Sequence, residues 1–221
     1  MSARIPDVVI RRLPIYARAL AHLQEEGISV VSSLELGRRL GVTPAQIRKD
    51  LSYFGEFGKQ GTGYAVGHLL TEIRRILGLD QEWRLAIVGI GRLGRAIASY
   101  PGFTREGFRV AALFDNDPAK IGQSVGTLII HGMDELATVV AAEQVQIGIV
   151  AVPAAEGQAV VDQLVACGVT ALLNYAPISV SVPPHVQVRD VDPVIALQSM
   201  TYYLRHPTAA TTNARGRLHL P

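Results

Sequence analysis

The chain has 221 residues, 48% hydrophobic and 18% charged, with 21 Gly, 12 Pro and one Cys, proportions that exclude collagen, a coiled coil and a chain too polar to bury a core. Cys167 alone closes no disulfide and builds no zinc cluster, so composition points to a reducing, cytoplasmic setting and to no metal. The formal net charge of +2 hides an asymmetry: residues 1–79 hold 11 Lys and Arg against 7 Asp and Glu, and residues 80–221 hold 10 against 12.

Met1 to Pro14 carries Arg4, Arg11 and Arg12 with no apolar run behind them, which speaks against a secretory signal. Apolar residues Ile10, Leu13, Ala17, Leu20, Ala21 and Leu23 then recur at helical spacing and predict a first helix up to Glu26, closed by Gly27. Ser32 or Ser33 caps a second helix through Leu34, Leu36 and Leu40, ended by Gly41. Thr43 as N-cap and Pro44 at the first helical position start a third, expected over Pro44 to Phe54.

Helix, Gly41-Val42-Thr43, helix is the spacing of a helix-turn-helix. Ile47 and Leu51, four apart, pack inward, which leaves Thr43, Gln46, Arg48, Lys49, Ser52 and Tyr53 to meet bases or phosphates of double-stranded DNA. The basic charge is densest here, in Arg38, Arg39, Arg48, Lys49 and Lys59 against Asp50 and Glu56, and a localised positive patch attracts polyanions. The glycine-rich stretch Gly55 to Tyr64 predicts a tight hairpin, a wing whose tip, with Lys59 and Gly61, approaches the minor groove. Val66 to Leu79 reads as a helix leading to a boundary near Gly78 to Glu82.

From Trp83 short apolar runs alternate with helices: Leu85 to Val88, Val110 to Phe114, Leu128 to Ile130, Ile147 to Val152 and Ala171 to Leu173. Unbroken apolar strands are covered on both faces, so the fold class is α/β, a Rossmann-type doubly wound parallel sheet behind a winged helix-turn-helix domain. The first strand runs into Gly89-Ile90-Gly91-Arg92-Leu93-Gly94, with a helix expected over Arg92 to Tyr100. In such a loop Gly89 permits the turn, Gly91 the approach of amides to a pyrophosphate, and Gly94 close packing of helix on strand. Asp115, 21 residues after Gly94 in the sequence, is placed to take an adenosine ribose hydroxyl and to repel a 2′-phosphate, which selects NAD(H). Lys120 follows on the ribose or phosphate side. Val152-Pro153 and Asn174-Tyr175-Ala176-Pro177 lie just beyond strand ends, where ligands of open α/β sheets bind.

Gln163 to Val188 is uncharged and as long as a membrane span, but Gly168, Asn174, Pro177, Pro183 and Pro184 interrupt it, so it reads as buried strands and turns with no membrane partner. No Tyr is followed four residues later by Lys, and His131 and His185 stand isolated, so a nicotinamide here lacks an evident proton donor and no catalytic residue is assigned. Two other readings stay open: a small NAD-dependent oxidoreductase with a helical cap, and a CoA-type nucleotide sensor.

Taken together, Ile47-Arg48-Lys49-Asp50-Leu51-Ser52-Tyr53-Phe54-Gly55, Gly61-Thr62-Gly63-Tyr64, the Gly89 to Gly94 loop, Tyr100-Pro101-Gly102-Phe103, Phe114-Asp115-Asn116-Asp117 and Leu173-Asn174-Tyr175-Ala176-Pro177 give a sequence that resembles the Rex family of redox-sensing repressors, from about Pro6 to Arg205. The resemblance implies a homodimer on an inverted-repeat operator, released by NADH, with NAD+ favouring the DNA-bound form. It implies four parts: 1–79 DNA-binding, 80–191 NAD(H)-binding, 192–205 a swapped dimerisation helix and 206–221 a tail. It also implies that Arg18, Tyr100 and Asp192 exchange hydrogen-bond partners with redox state. Two positions depart from the family: Gln60 replaces a second basic wing residue, and Pro193 replaces a common apolar one.

Overall fold

The computed structural model describes residues 5–59 and 62–206. The chain divides into two units, one built from residues up to Asp80 together with those from Ala196 onward, the other from Gln81–Ile195.

The first unit starts with α1, Asp7–Glu25. Pro14 sits inside it without ending it, because a buried stripe of Val9, Leu13, Tyr16, Ala17, Leu20 and Leu23 outweighs one lost backbone hydrogen bond. After β1, Val30–Val31, α2 spans Ser33–Leu40, its N-cap Ser32 Oγ accepting from Glu35 N at 3.0 Å. Gly41 closes it at φ 66°. Helix α3, Pro44–Ser52, has Thr43 Oγ1 accepting from Gln46 N at 3.1 Å; it ends at Ser52, short of the expected Phe54, where the chain turns with Phe54 N donating to Leu51 O.

The turn depends on a glycine that spacing did not mark. A Cβ on Gly37 would lie 2.6 Å from the Val42 carbonyl oxygen, so α2 lets the following turn lie against it only because position 37 has no side chain. The wing consists of β2, Gly58–Lys59, and β3, Gly63–Ala65, antiparallel. Strand β1 adds to β3 in a three-stranded sheet ordered β1-β3-β2. Helix α4, Val66–Ile76, packs on α1.

In the second unit β4, Trp83–Val88, leads through the glycine loop to α5, Arg92–Ala98, and α6, Gly102–Arg105. Then come β5, Phe108–Asp115, the hairpin β6, Ser124–Val125, with β7, Leu128–Gly132, and after a 3-10 turn α7, Leu136–Ala142. Strand β8, Ile147–Val150, helix α8, Ala154–Ala166, β9, Ala171–Asn174, and β10, Gln187–Asp190, follow, and α9, Pro193–Arg205, starts in this unit and ends in the first. The strand order is β10-β9-β8-β4-β5-β7-β6, all neighbours parallel except β6 with β7. Strand β4 shows why its run is unbroken: Leu85 and Ile87 enter one core, Ala86 and Val88 the other, as side chains alternate across a sheet covered on both faces.

Three expectations are corrected. Gln163 to Ala166 is the end of α8, not strand; β8 ends at Val150, two residues short of Val152; and β6 and β10 are strands the apolar pattern did not mark. Strand β10 is the polar Gln187-Val188-Arg189-Asp190, held by its parallel ladder to β9 rather than by burial of both faces. No described helix is long and apolar enough to cross a membrane.

Gly37→Ala is expected to destabilise the first unit by about 1–3 kcal/mol through overpacking. Gly67→Ala, whose Cβ would meet Gln24 Nε2 at an ordinary 3.5 Å, should be neutral or stabilising by up to about 1 kcal/mol. Urea denaturation followed by circular dichroism separates the two; equal midpoints would refute the steric account of the turn.

Candidate DNA and nucleotide sites

Helix α3 has two faces. Ile47, Asp50 and Leu51 are buried, while Arg48, Lys49 and Ser52 are exposed and Gln46 and Tyr53 half-buried. Arg48 donates to Ser33 Oγ at 3.0 Å, and Ser52 Oγ donates to the Lys49 carbonyl at 2.8 Å. Arg39 is committed elsewhere: its guanidinium makes two 2.9 Å bonds to Glu26 and reaches Glu35 at 3.3 Å. Of the basic stretch, Arg38, Arg48 and Lys49 are exposed and make no ion pair among the described residues. In the wing, Lys59 pairs with Gly63, and Gly58 is obligatory because a Cβ there would meet the Tyr64 ring at 2.8 Å. Gln60 and Gly61 lie outside the described residues, as does the tail with Arg215 and Arg217.

Asp50, counted above as part of the surface patch, is fully buried. Its Oδ2 accepts from Arg12 Nε at 2.6 Å and the Tyr16 hydroxyl at 2.6 Å; its Oδ1 accepts from the Arg12 guanidinium and from Gln46 Nε2, both at 2.7 Å. Burial by itself raises the carboxyl, but donation from Arg12, Tyr16 and Gln46 outweighs it and holds Asp50 below its ordinary range. Burial and then donation to this carboxylate push the Tyr16 phenol up. The cluster ties α3 to α1, and sequence spacing gave no sign of it: Arg12 and Asp50 are 38 residues apart.

The second unit places its glycine loop where the strand order reverses, beyond the carboxyl end of β4. That is where ligands of open α/β sheets bind. Gly89 adopts φ 92°, a Cβ on Gly94 would collide with the Gly89 carbonyl, and around Gly91 nothing lies within 4 Å. The loop therefore has a turn, an open approach and a close helix packing, in the order a pyrophosphate requires. Ile90 is buried, while Arg92 and Leu93 are exposed at the start of α5. A cleft of about 430 Å³ adjoins the loop, lined by residues that include Gly89, Asp115, Asn116, Val152 and Glu156.

Asp115 is 4% exposed at the end of β5. Its Oδ2 accepts from Ile90 N at 2.7 Å and Lys120 Nζ at 3.0 Å, and its Oδ1 accepts from Asp117 N at 2.9 Å. Burial raises this carboxyl too, and the Asp117 amide, Lys120 and the Ile90 amide lower it further than burial lifts it. Of roughly four acceptor positions, one remains for a ribose hydroxyl. Lys120 is shared between Asp115 and Asp117.

Two residues the sequence reading did not assign line the cleft mouth: Asn116 Nδ2 donates to Glu156 Oε2 at 3.1 Å, joining the β5 loop to α8. The mark available was position alone, one residue past Asp115 and three past Pro153. Pro153 stands at the N-cap of α8. Asn174 is 1% exposed and fully engaged, donating to Ile178 O and Asp190 Oδ1 and accepting from Ala176 N. It shapes the loop that carries Ala176 and Pro177.

A family model described as "CoA binding domain" matches residues 80–178, and one described as "Putative DNA-binding protein N-terminus" matches residues 4–52. The redox-sensing transcriptional repressor Rex of Chloroflexus aggregans is 62% identical over 92% of this chain and 96% of its own length. The Rex of Streptomyces coelicolor is 45% identical over 97% of this chain and 83% of its own. The chain belongs to the Rex family. Among solved structures, RSP in complex with β-NAD+ and operator DNA superposes with a TM-score of 0.88 at 35% identity, covering 95% of this chain and 97% of that one. RSP with β-NADH gives 0.85 at 33% identity, covering 95% and 99%.

The resemblance singles out three further residues. Arg18 is exposed on α1, lining a groove with Ile15, His22, Glu26 and Arg39. Tyr100 is 59% exposed, its ring edge-on to Phe103 at 5.4 Å, and a Cβ on Gly102 would strike it. Asp192 Oδ1 accepts from Val194 N at 2.8 Å and Ile195 N at 3.4 Å, so it caps α9. Pro193 at the first helical position fits that role, since its missing N–H would have no helical partner. Among the described residues no hydrogen bond joins Tyr100 to Asp192.

Both buried carboxyls sit below their ordinary values, so each contributes stability that is complete above about pH 4 and lost as pH falls through the lower folded value. Asp115→Asn should therefore flatten the loss of stability of the second unit below pH 4, followed by Trp83 fluorescence in denaturant. An unchanged acid slope would refute the donor set described for Asp115.

Proposed function

We infer that the chain is an NADH-responsive transcriptional repressor, bound to inverted-repeat operator DNA while NADH is low and released when NADH binds. The observation that carries this is the presence, in one Rex-family chain, of a capped helix-turn-helix presenting Arg48 and Lys49 and a glycine loop at the switch point of a parallel sheet. Cofactor binding is the input and DNA binding the output; the chain is not an enzyme, and as a DNA regulator it works in the cytoplasm.

On this reading Thr43, Gln46, Arg48, Lys49, Ser52 and Tyr53 face the major groove, and Lys59 and Gly61 the minor. Gly89 to Gly94 hold the pyrophosphate, Asp115 takes the adenosine ribose, and Val152-Pro153 and Ala176-Pro177 border the nicotinamide side, with Asn174 acting through the loop it fastens. Lys120 acts through Asp115. The carboxylates of Asp115, Asp117 and Glu156 disfavour a 2′-phosphate, which selects NADH over NADPH. NAD+ and NADH differ by a positive charge on the ring, and only a group that meets the two forms differently shifts an equilibrium. Arg18, Tyr100 and Asp192 are the groups proposed for that exchange. Helix α9 exposes Val194, Ile195, Leu197, Met200 and Leu204, none of it buried, which supports a homodimer formed through this helix.

The match to a CoA-binding description favours one competing ligand, CoA. The same carboxylates oppose its ribose 3′-phosphate, so CoA is expected not to displace NADH.

Fluorescence anisotropy of a duplex from this gene's own upstream region should show binding reversed by NADH and not by NAD+. Binding indifferent to NADH, with substrate-dependent absorbance change at the nicotinamide band, would replace the repressor by an oxidoreductase. Arg48→Ala or Lys49→Ala should lower operator affinity with NADH affinity unchanged, a combined loss contradicting the division of labour. Truncation before Val194 should give monomers in sedimentation; intact dimers would overturn the role of α9.

A further inference from the structure

The Asp50 cluster does more than tie two helices together, because one of its donors belongs to the DNA-facing surface. We propose that Gln46 selects, at one position of each operator half-site, a base bearing an amino group in the major groove, adenine or cytosine, because Asp50 fixes its side-chain amide with the oxygen free. The inference deepens the repressor reading and rests on it.

Asp50 is 0% exposed and takes four hydrogen bonds, two from Arg12, one from Tyr16 and one from Gln46 Nε2 at 2.7 Å. An ionised carboxylate only accepts. Of the two branches of the Gln46 amide, only the nitrogen can face Oδ1; the reverse orientation would set two oxygens against each other at hydrogen-bond distance with no proton between them. The Asp50 carboxyl, held below its ordinary range by these donors, stays ionised at neutral pH, so the choice is permanent there.

An ordinary surface glutamine turns its amide at small cost and serves as donor or acceptor indifferently. Gln46 cannot do so without losing its bond to Asp50. Its Oε1 accepts no hydrogen bond within the described residues, and one N–H remains. Gln46 is the third residue of α3, directly above the Thr43 cap, in the N-terminal turn that a recognition helix points at base edges.

The groove supplies the rest. Guanine presents only acceptors there, O6 and N7, and thymine presents O4 and a methyl group, whereas adenine offers N6–H beside N7 and cytosine N4–H. A fixed acceptor oxygen is matched by adenine or cytosine and opposed by guanine or thymine. The remaining N–H complements adenine N7.

The test measures the full-length protein without NADH against duplexes of its own upstream operator in which each half-site position is changed to all four bases. Wild-type protein should show one position where adenine or cytosine binds roughly tenfold tighter than guanine, the size of a specific base contact. Gln46→Met, which keeps length and removes the amide, should level the four bases there and leave the pattern at other positions. Asp50→Asn, provided its melting and NADH titration show it folded, places a donor beside Gln46 and should move that preference toward guanine or thymine. A Gln46-dependent position that prefers guanine in the wild type, or a Gln46→Met pattern identical to wild type at every position, would overturn the proposal and leave the repressor reading intact. Wild-type protein that holds all duplexes alike would overturn both.

Discussion

A carboxylate removed from water must be given donors for its oxygens or be neutralised. Each unit of this chain is organised around one aspartate that meets this demand by gathering the parts that function. In the first, Asp50 draws Arg12 and Tyr16 from α1 and Gln46 from α3, so the recognition helix is oriented by the core beneath it. In the second, Asp115 draws the Ile90 amide of the glycine loop, the Asp117 amide of the next turn and Lys120. Removing either carboxylate leaves donors inside the protein without a partner, each costing about 1–3 kcal/mol, more for the charged ones. The demands of burial thus impose rigidity on segments that are otherwise short turns.

Sterics complete what the carboxylates begin. Gly37 lets the α2–α3 turn close, Gly58 lets the wing lie on Tyr64, and Gly94 lets α5 lie against the Gly89 carbonyl. These positions do different work from Gly91, where the space is open. In the first three a methyl group would meet neighbouring backbone or an aromatic ring. The parallel sheet then fixes position: β5 and β8 lie on opposite sides of β4, so the loops after all three strands converge at their carboxyl ends.

Much of this was legible in the sequence. Thr43, Pro44 and Gly41 write the helix-turn-helix because capping chemistry is local, and the glycine loop is readable because its three glycines answer to steric demands a few residues apart. The unmarked strands β6 and β10 were hidden because edge strands need no apolar run to be held by a ladder. Asp50 was hidden for a different reason. A charged residue on an exposed helix reads as surface, and only the fold, by bringing Arg12 across from α1, makes it the most buried polar group of its unit. Asn174 was expected just beyond a strand end, and it is the last residue of β9, with its side-chain amide engaged by Ala176, Ile178 and Asp190.

The cofactor's signal is small, since NAD+ and NADH differ by one positive charge on the nicotinamide ring. Each unit has its own core, and the energies on the scale of that signal are those of single hydrogen bonds and caps. Asp192 illustrates the scale: its Oδ1 holds the first amides of α9, an N-cap worth about 1 kcal/mol. Any change of partner at that carboxylate would remove the cap from a helix with no buried residue of its own. Carrying a two-state equilibrium from one side to the other takes roughly 5.5 kcal/mol, so one such cap covers only a fraction of it. No single contact has to supply it.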